Sequence, residues 1–143
     1  MYLTDEQRAI FAGLRKALDG YITKIVDDPA EINNNLVAIR HWAPGVFSVG
    51  DVRLHDGIPY RCLQGHDSTQ TPNWTPDTTP ALWMQYHGTT PQTARPYVTV
   101  TGSHDIYKVG EYMIWTDGFV YECLSNTDHT PVTHPAAWSK VDV

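Results

Sequence analysis

The chain has 143 residues, a formal net charge of −6 and no run of basic residues, which argues against binding to nucleic acid or to an acidic membrane. It has no stretch of about eighteen apolar residues and no basic-then-apolar N-terminus, so neither membrane insertion nor a signal peptide is expected. Its two cysteines, Cys62 and Cys123, occupy strand-like positions, where two free buried thiols are expected rather than a disulfide.

The first 41 residues differ in composition from the rest of the chain. They contain no tryptophan and one proline, whereas all five tryptophans and nine of the ten prolines lie beyond them. Thr4 and Gln7 match a helix capping box, and Asp28-Pro29 matches an N-cap followed by proline at the first helical position. We therefore predict a helical segment, with helices at about 4–26 and 29–40.

The first predicted helix carries apolar residues at alternating spacings of three and four, which is the heptad spacing of a coiled coil. Two alternatives remain open. The segment forms a helical hairpin folded onto the first repeat, or it oligomerises or docks the protein. The residues of this seam are Phe11, Leu14, Leu18, Tyr21 and Ile25.

The remainder of the chain contains an internal repeat. From Phe47, the letters FSVGDVRLHDGIPYRCL run on to PALW at 80–83, and from Tyr107, YKVGEYMIWTDGFVYECL runs on to PAAW at 135–138. Each copy contains an Asp-Gly pair between alternating apolar residues, which predicts a hairpin with a two-residue turn at 56–57 and at 117–118. Each hairpin is followed by a loop rich in proline, threonine and aspartate, at 64–80 and 125–135.

The first copy resembles a known family in the order of its motifs. These are Tyr60-Arg61-Cys62-Leu63-Gln64-Gly65-His66, then Trp74-Thr75-Pro76, then Pro80-Ala81-Leu82-Trp83. The family is the type-3 chitin-binding domain, that is, the family 5/12 carbohydrate-binding modules. The second copy is a looser match without the Trp-Thr-Pro element. A short helical segment joined to such modules is similar to small proteins encoded near phage or prophage tail genes.

The resemblance implies a small twisted antiparallel sheet that binds polysaccharide through exposed aromatic faces. Flat aromatic side chains suit this role because sugar rings carry a C–H face, and a rigid ring loses little entropy on binding. Chitin-binding members often have Trp-Trp shortly after the strand tyrosine, where this chain has Leu63-Gln64 and Leu124-Ser125. The resemblance therefore implies a glycan ligand but does not name the sugar.

Comparison of the two copies selects the candidate binding residues. Aromatics matched between the copies, namely Tyr60, Tyr121, Trp83 and Trp138, are expected mainly in the core, although a tyrosine hydroxyl at its edge could still reach a ligand. Unmatched aromatics are freer to bind, and these are Trp74 in a loop and Trp115 at a hairpin tip. Polar neighbours that could bond sugar hydroxyls include Gln64, His66 and Asp67.

Catalysis is not expected. The carboxylates fall mainly at turns and strand edges, rather than as the pair that flanks a sugar bond in a glycosidase. The seven histidines lack zinc-site spacing, and neither a phosphate loop nor a G-x-S-x-G elbow occurs. We expect no metal site and no cofactor.

The sequence thus predicts an α+β protein with an N-terminal helical segment followed by two small twisted antiparallel β modules. The boundaries are 1–41 for the helical segment, 42–86 and 97–143 for the modules, and 87–96 for the linker. The expected function is non-catalytic glycan binding by a homo-oligomer, a trimer being one arrangement, in a virion or an extracellular assembly. Alternatives are a tail or capsid protein whose modules bind protein, and the targeting subunit of a separately encoded glycoside hydrolase.

Overall fold

The computed structural model describes residues 2–142 and is α+β, as predicted. Within these residues, helices α1 (Asp5–Lys24) and α2 (Pro29–Asn34) are followed by nine short strands. The strands are β1 (Val46–Phe47), β2 (Val52–His55), β3 (Ile58–Cys62), β4 (His66–Asp67), β5 (Trp83–Gln85), β6 (Arg95–Pro96), β7 (Tyr112–Ile114), β8 (Val120–Cys123) and β9 (Trp138–Lys140). They form sheets of two, three and four strands, ordered β1-β4, β2-β3-β5 and β6-β7-β8-β9.

Both helices begin where the sequence predicts. The Thr4 side chain accepts a hydrogen bond from the Gln7 amide, the Gln7 side chain accepts one from the Thr4 backbone amide, and Asp28 caps α2 by accepting from Glu31 N. The second helix ends earlier than predicted, at Asn34, and a 3-10 turn over Leu36–Ala38 follows. The Asn35 side chain bonds back to Glu31 O at 2.7 Å, a local bond that competes with helix continuation.

The first hairpin has the predicted two-residue turn. Strands β2 and β3 pair with His55 opposite Ile58, and both turn residues have positive φ, 51° at Asp56 and 77° at Gly57. These are the angles that a type I′ turn requires.

The second hairpin differs from the prediction of a two-residue turn. Trp115 N bonds to Phe119 O at 3.0 Å, so three residues lie between the two strand ends, and Gly118 N bonds to Trp115 O at 2.9 Å. Gly118 has φ of 83°, the left-handed position of a three-residue hairpin loop. The extra residue relative to the first copy places the Trp115 side chain at the hairpin tip.

The main-chain hydrogen bonds of the two copies correspond in pairs. The first copy has Gly50 N to Cys62 O at 2.9 Å and Cys62 N to Asp51 O at 2.8 Å. Their counterparts are Gly110 N to Cys123 O at 3.0 Å and Cys123 N to Glu111 O at 2.8 Å. Cys62 and Cys123 are both buried, free thiols.

Three apolar clusters form the core of the described part of the chain, and one of them joins the helices to the first hairpin. That cluster consists of Ile22, Ile32, Ala38, Ile39, Val52 and Tyr86. Tyr86 also donates a hydrogen bond to Val26 O at 2.6 Å, so it packs against the helices. The other two clusters centre on Trp83 and on Trp138. Trp42 packs with the Trp83 cluster and edge-on to His55.

The end of the predicted linker is part of the four-stranded sheet of the second copy. Strand β6 pairs with β7 in parallel, which is the one parallel pairing within the described sheets. Gly88 O also accepts from Tyr112 N at 2.9 Å. The linker therefore holds the second copy in place instead of only spacing it.

Candidate functional site

The 64–82 loop of the first copy is held by its own hydrogen bonds. Ser68 N and Oγ both bond to Gly45 O, at 2.8 and 3.1 Å. Further along, Thr79 Oγ donates to Thr75 O at 2.8 Å, and Thr78 Oγ donates to Asn73 O at 3.1 Å. A loop fixed in this way presents its side chains without a large ordering cost on binding.

Trp74 is the aromatic side chain that this loop presents to solvent. Its side chain is 39% exposed, the highest value among the five tryptophans of the chain. Its backbone amide donates to Thr71 O at 3.0 Å, within the turn that precedes the Trp-Thr-Pro motif. The indole thus lies at the surface on a backbone that is already ordered.

The polar residues predicted beside Trp74 mainly stabilise the loop. Gln64 is exposed, but its amide donates to Ala81 O at 3.0 Å. Asp67 accepts from Thr69 N at 2.9 Å and Thr69 Oγ at 2.6 Å, and the hydroxyl and backbone bonds of Thr69 hold the pKa of this exposed carboxyl below its usual range. Both side chains lie at the surface within the same loop.

His66 points into the module. Its ring lies 5.4 Å from that of Phe47 and 5.6 Å from that of Trp83, and its Nδ1 is 2.7 Å from Gln64 O. These contacts make His66 part of the packing that supports the loop.

Tyr60 and Trp83 lie in the core of the first copy, as expected for matched aromatics, with exposures of 5% and 2%. Burial, reinforced by the nearby carboxylate of Asp77, raises the pKa of Tyr60 to about 12. Both residues line a space of about 260 Å³ whose far wall comes from the second copy, at Val98, Thr99, Thr101 and Asp105.

In the second copy Trp138 is buried, whereas Tyr121 and Trp115 are half-buried. The Tyr121 hydroxyl donates to the Asp117 carboxylate at 2.7 Å. This hydrogen bond raises the pKa of Tyr121 and lowers that of Asp117. Trp115 and Tyr121 line the same cleft of the second copy, which includes no residue of the Trp74 loop.

The carboxylates serve local turns in both copies. Asp51 accepts from Ser48 N at 2.8 Å, Asp105 from Gly102 N at 2.9 Å, and Asp117 from Phe119 N at 2.9 Å. Within residues 2–142, no three His, Cys, Asp or Glu side chains converge as a metal site would require. No helix in the same range is long and apolar enough to cross a bilayer.

Comparison with known proteins finds a family match for the first copy. Residues 41–84 match the family described as carbohydrate-binding module family 5/12. Streptogrisin-C of Streptomyces griseus is 44% identical over 45 residues, which are 31% of this chain and 9% of that protein. The first copy is thus supported as a family 5/12 module, as the sequence motifs predicted.

Among solved structures, the crystal structure of a family GH18 chitinase from Chromobacterium violaceum aligns with a TM-score of 0.32 at 29% identity. The alignment covers 43% of this chain and 16% of that chain. The chain thus spans only a small part of the length of either relative.

Proposed function

We propose that this protein is a non-catalytic glycan-binding protein whose first module holds polysaccharide at the Trp74 loop. The observation that carries the proposal is the match of residues 41–84 to carbohydrate-binding module family 5/12. The exposed indole of Trp74 on a hydrogen-bonded loop supports it, because an ordered, flat aromatic surface can stack on a sugar ring. The use of Asp51, Asp105 and Asp117 as turn caps supports a role in binding rather than hydrolysis.

The experiment is a binding assay of the full chain on insoluble chitin, cellulose and peptidoglycan, together with a glycan array. We expect at least one of these to retain the protein. Trp74→Ala should weaken retention roughly tenfold, which corresponds to about 1.4 kcal/mol, whereas Trp74→Tyr should keep most of it.

The matched control is Tyr2→Ala, which removes a ring that is 95% exposed and lies outside the module. Retention equal to that of the unmodified protein is expected for this variant. If neither the polysaccharides nor the array retain the protein, the proposed function is wrong. If they retain Trp74→Ala and the unmodified protein equally, the ligand does not lie at the Trp74 loop.

Self-association through α1 forms a second part of the proposal, with another copy of this chain as the partner. Every residue from Asp5 to Leu14 is exposed, and the seam includes Phe11 at 53%, Leu14 at 55%, Leu18 at 39% and Tyr21 at 41% exposure. Helices gain most of their stability from packing an apolar face, and this face has no packing partner within the described chain. Ile25, the last seam residue, is instead partly buried against the apolar cluster that joins the helices to the first hairpin.

Two weak glycan sites in one assembly would gain affinity through effective concentration, which gives self-association a purpose here. A phage or prophage origin, and with it a virion location, rests on the sequence resemblance and stays a prediction. Co-purification of the protein with particles is the measurement that tests it.

A further inference from the structure

The second copy has an open cleft of about 420 Å³ on the face that carries its hairpin tip. This volume falls within the range of small-molecule sites, roughly 300 to 1,000 Å³. Its apolar walls are formed by Trp115, Tyr121, Pro131, Val132, Pro135 and Trp138. The family match ends at residue 84, so this cleft lies wholly outside the matched region.

The corresponding face of the first copy is more enclosed and leaves a space of about 260 Å³. There the longer loop brings Pro76, which is fully buried, and Asp77, whose Oδ1 lies 3.4 Å from Nε2 of His55. Val98, Thr99, Thr101 and Asp105 of the second copy form the far wall of that space. In the second copy the loop at 125–135 is shorter. Val132, which lies in this loop and lines the cleft, is 73% exposed.

Trp115 is fixed in orientation, unlike a free surface tryptophan. It stands where the first copy has His55, and its ring packs edge-on against Tyr97 at 5.2 Å and 81°. Tyr97 in turn stacks on Tyr107 at 5.2 Å and 15°. Because the ring is already held by packing, binding a ligand would cost little side-chain entropy.

The rim of the cleft carries one negative and one positive group. The Asp117 carboxylate accepts from Tyr121 Oη at 2.7 Å and from Phe119 N at 2.9 Å. Across the rim, Lys140 Nζ lies 3.5 Å from the centre of the Phe119 ring. A carboxylate that accepts and an ammonium that donates, with opposite charges that offset each other, suit a neutral ligand rich in hydroxyl groups.

We propose that this Trp115–Tyr121 cleft is a second glycan-binding site, independent of the Trp74 loop, which takes a neutral hexopyranose segment. The sugar's C–H face packs on Trp115, and its hydroxyls bond to Asp117 and Lys140. The inference rests on the proposed function in that both sites take glycan, but it assigns a different place and a different set of residues.

The test is an NMR titration of the full ¹⁵N-labelled chain with β-1,4-linked tetrasaccharides of glucose and of N-acetylglucosamine. The five tryptophan indole N–H signals report each site separately. We expect the Trp115 indole and the Val132 amide to shift, and to do so equally in Trp74→Ala. Val132→Arg, which fills the cleft from an exposed position, should weaken the affinity read from the Trp115 indole signal at least about tenfold.

The matched control is Val109→Arg, an equally drastic change at a valine of the same copy that is 64% exposed and outside the cleft. It should titrate as the unmodified chain does. Shifts confined to Trp74 would overturn the second site and leave the proposed function standing. If neither sugar produces shifts, the second site is overturned. A decaproline peptide serves as an alternative ligand, because proline-rich segments also dock in aromatic-lined grooves. Cleft shifts produced by this peptide alone would overturn the glycan site as well.

Discussion

The imidazole of His87 lies parallel to the phenol ring of Tyr107, with ring centroids 3.8 Å apart and an angle of 7° between planes. Nδ1 of His87 is 2.9 Å from Glu111 Oε1, and the His87 carbonyl accepts from Asn33 Nδ2 at 3.0 Å. Arg95 bonds to the Asn33 side chain and, at 2.7 Å, to Tyr86 O. A buried polar network centred on His87 thus joins the helical segment, the linker and the second copy.

Replacement of His87 should destabilise the whole chain. His87→Ala removes the stack on Tyr107 and takes a partner from the buried Glu111, so we expect the free energy of unfolding to fall by about 2 kcal/mol. Urea denaturation measures this, with His134→Ala, at an exposed histidine, as the control. A loss within about 0.5 kcal/mol of the control would show that the network contributes little.

Two glycine substitutions should have opposite effects. At Gly88 an added Cβ would lie 2.7 Å from the Thr93 carbonyl carbon and 2.8 Å from Ala94 Cα, so Gly88→Ala should force the linker backbone apart and destabilise the protein. At Gly13, an exposed position within α1, nothing lies within 4 Å, and alanine should stabilise the helix by about 1 kcal/mol. Thermal unfolding of both variants checks the pair, and equal effects would contradict the packing at Gly88.

The residues that the sequence located best are those whose structure depends on near neighbours. Thr4 with Gln7, Asp28 with Pro29, and Asp56-Gly57 are local hydrogen-bond or dihedral signals, and all three were predicted correctly. The early end of α2 depends instead on Asn33 and Asn35 turning to carbonyl oxygens. The pairing of β6 with β7 likewise depends on a distant partner, which no local pattern reveals.

The same reason limits prediction of the site. Comparing the copies was enough to separate Trp74 and Trp115 from the core aromatics Tyr60 and Trp83. It could not show that His66 turns inward, since that follows from its packing on Phe47 and Trp83. Nor could it show the open cleft, because loop length had to be combined with the placement of residues 98–105.

Ionisation of Asp19 should make the free energy of unfolding depend on pH in the acid range. Although partial burial disfavours its charged form, hydrogen bonds from Arg40 and Arg15 lower its pKa below the ordinary value of 3.8. A carboxyl with a lowered folded-state pKa stabilises the fold at pH values above its ordinary pKa. This stabilisation is lost as the pH falls through the folded-state pKa. Asp19→Asn should therefore be less stable than the unmodified chain at pH 7, and the difference should vanish in strong acid.

The measurement is urea denaturation from neutral to acid pH, with Asp5→Asn as the matched control. Asp5 pairs with Arg8 at a fully exposed position, where an ion pair contributes little. A difference for Asp19→Asn that stays constant down to the lowest pH would contradict the role of its charge.

The two thiols should resist reaction and should destabilise the fold at high pH. Burial raises the pKa of Cys62, and raises that of Cys123 from 9.0 to about 11. A raised folded-state pKa leaves stability intact below the unfolded value and removes it as the pH rises towards the folded one. We expect slow alkylation by iodoacetamide at pH 8 in the native protein, and modification of both cysteines in urea, as read by mass spectrometry.

Between pH 9 and 11, Cys123→Ala should lose less stability with rising pH than the unmodified chain does. Cys62→Ala is the matched comparison, because Cys62 is the equivalent residue of the first copy. Each thiol donates a hydrogen bond at 3.1 Å to the carbonyl oxygen two residues further along the chain. Rapid alkylation of the native protein at pH 8 would show that the thiols are not protected.

The oligomeric state should depend on the exposed half of α1. We expect the unmodified chain to sediment at a multiple of its 16.1 kDa mass. Phe11→Glu with Leu14→Glu should return it to a monomer, because charges would be buried in the seam. Point substitutions are preferable to deletion of the helical segment, since deletion removes Ile22, Ile32 and Ile39 from the cluster that also buries Val52.

Ala9→Glu is the matched control, because it adds a charge to the opposite side of the same exposed helix without entering the seam. It should sediment as the unmodified chain does. If the unmodified chain is a monomer throughout the micromolar range, then a second copy does not cover the seam. If Ala9→Glu dissociates the assembly as well as the seam variant does, then the contact lies elsewhere on α1, and the heptad assignment of Phe11 and Leu14 is wrong.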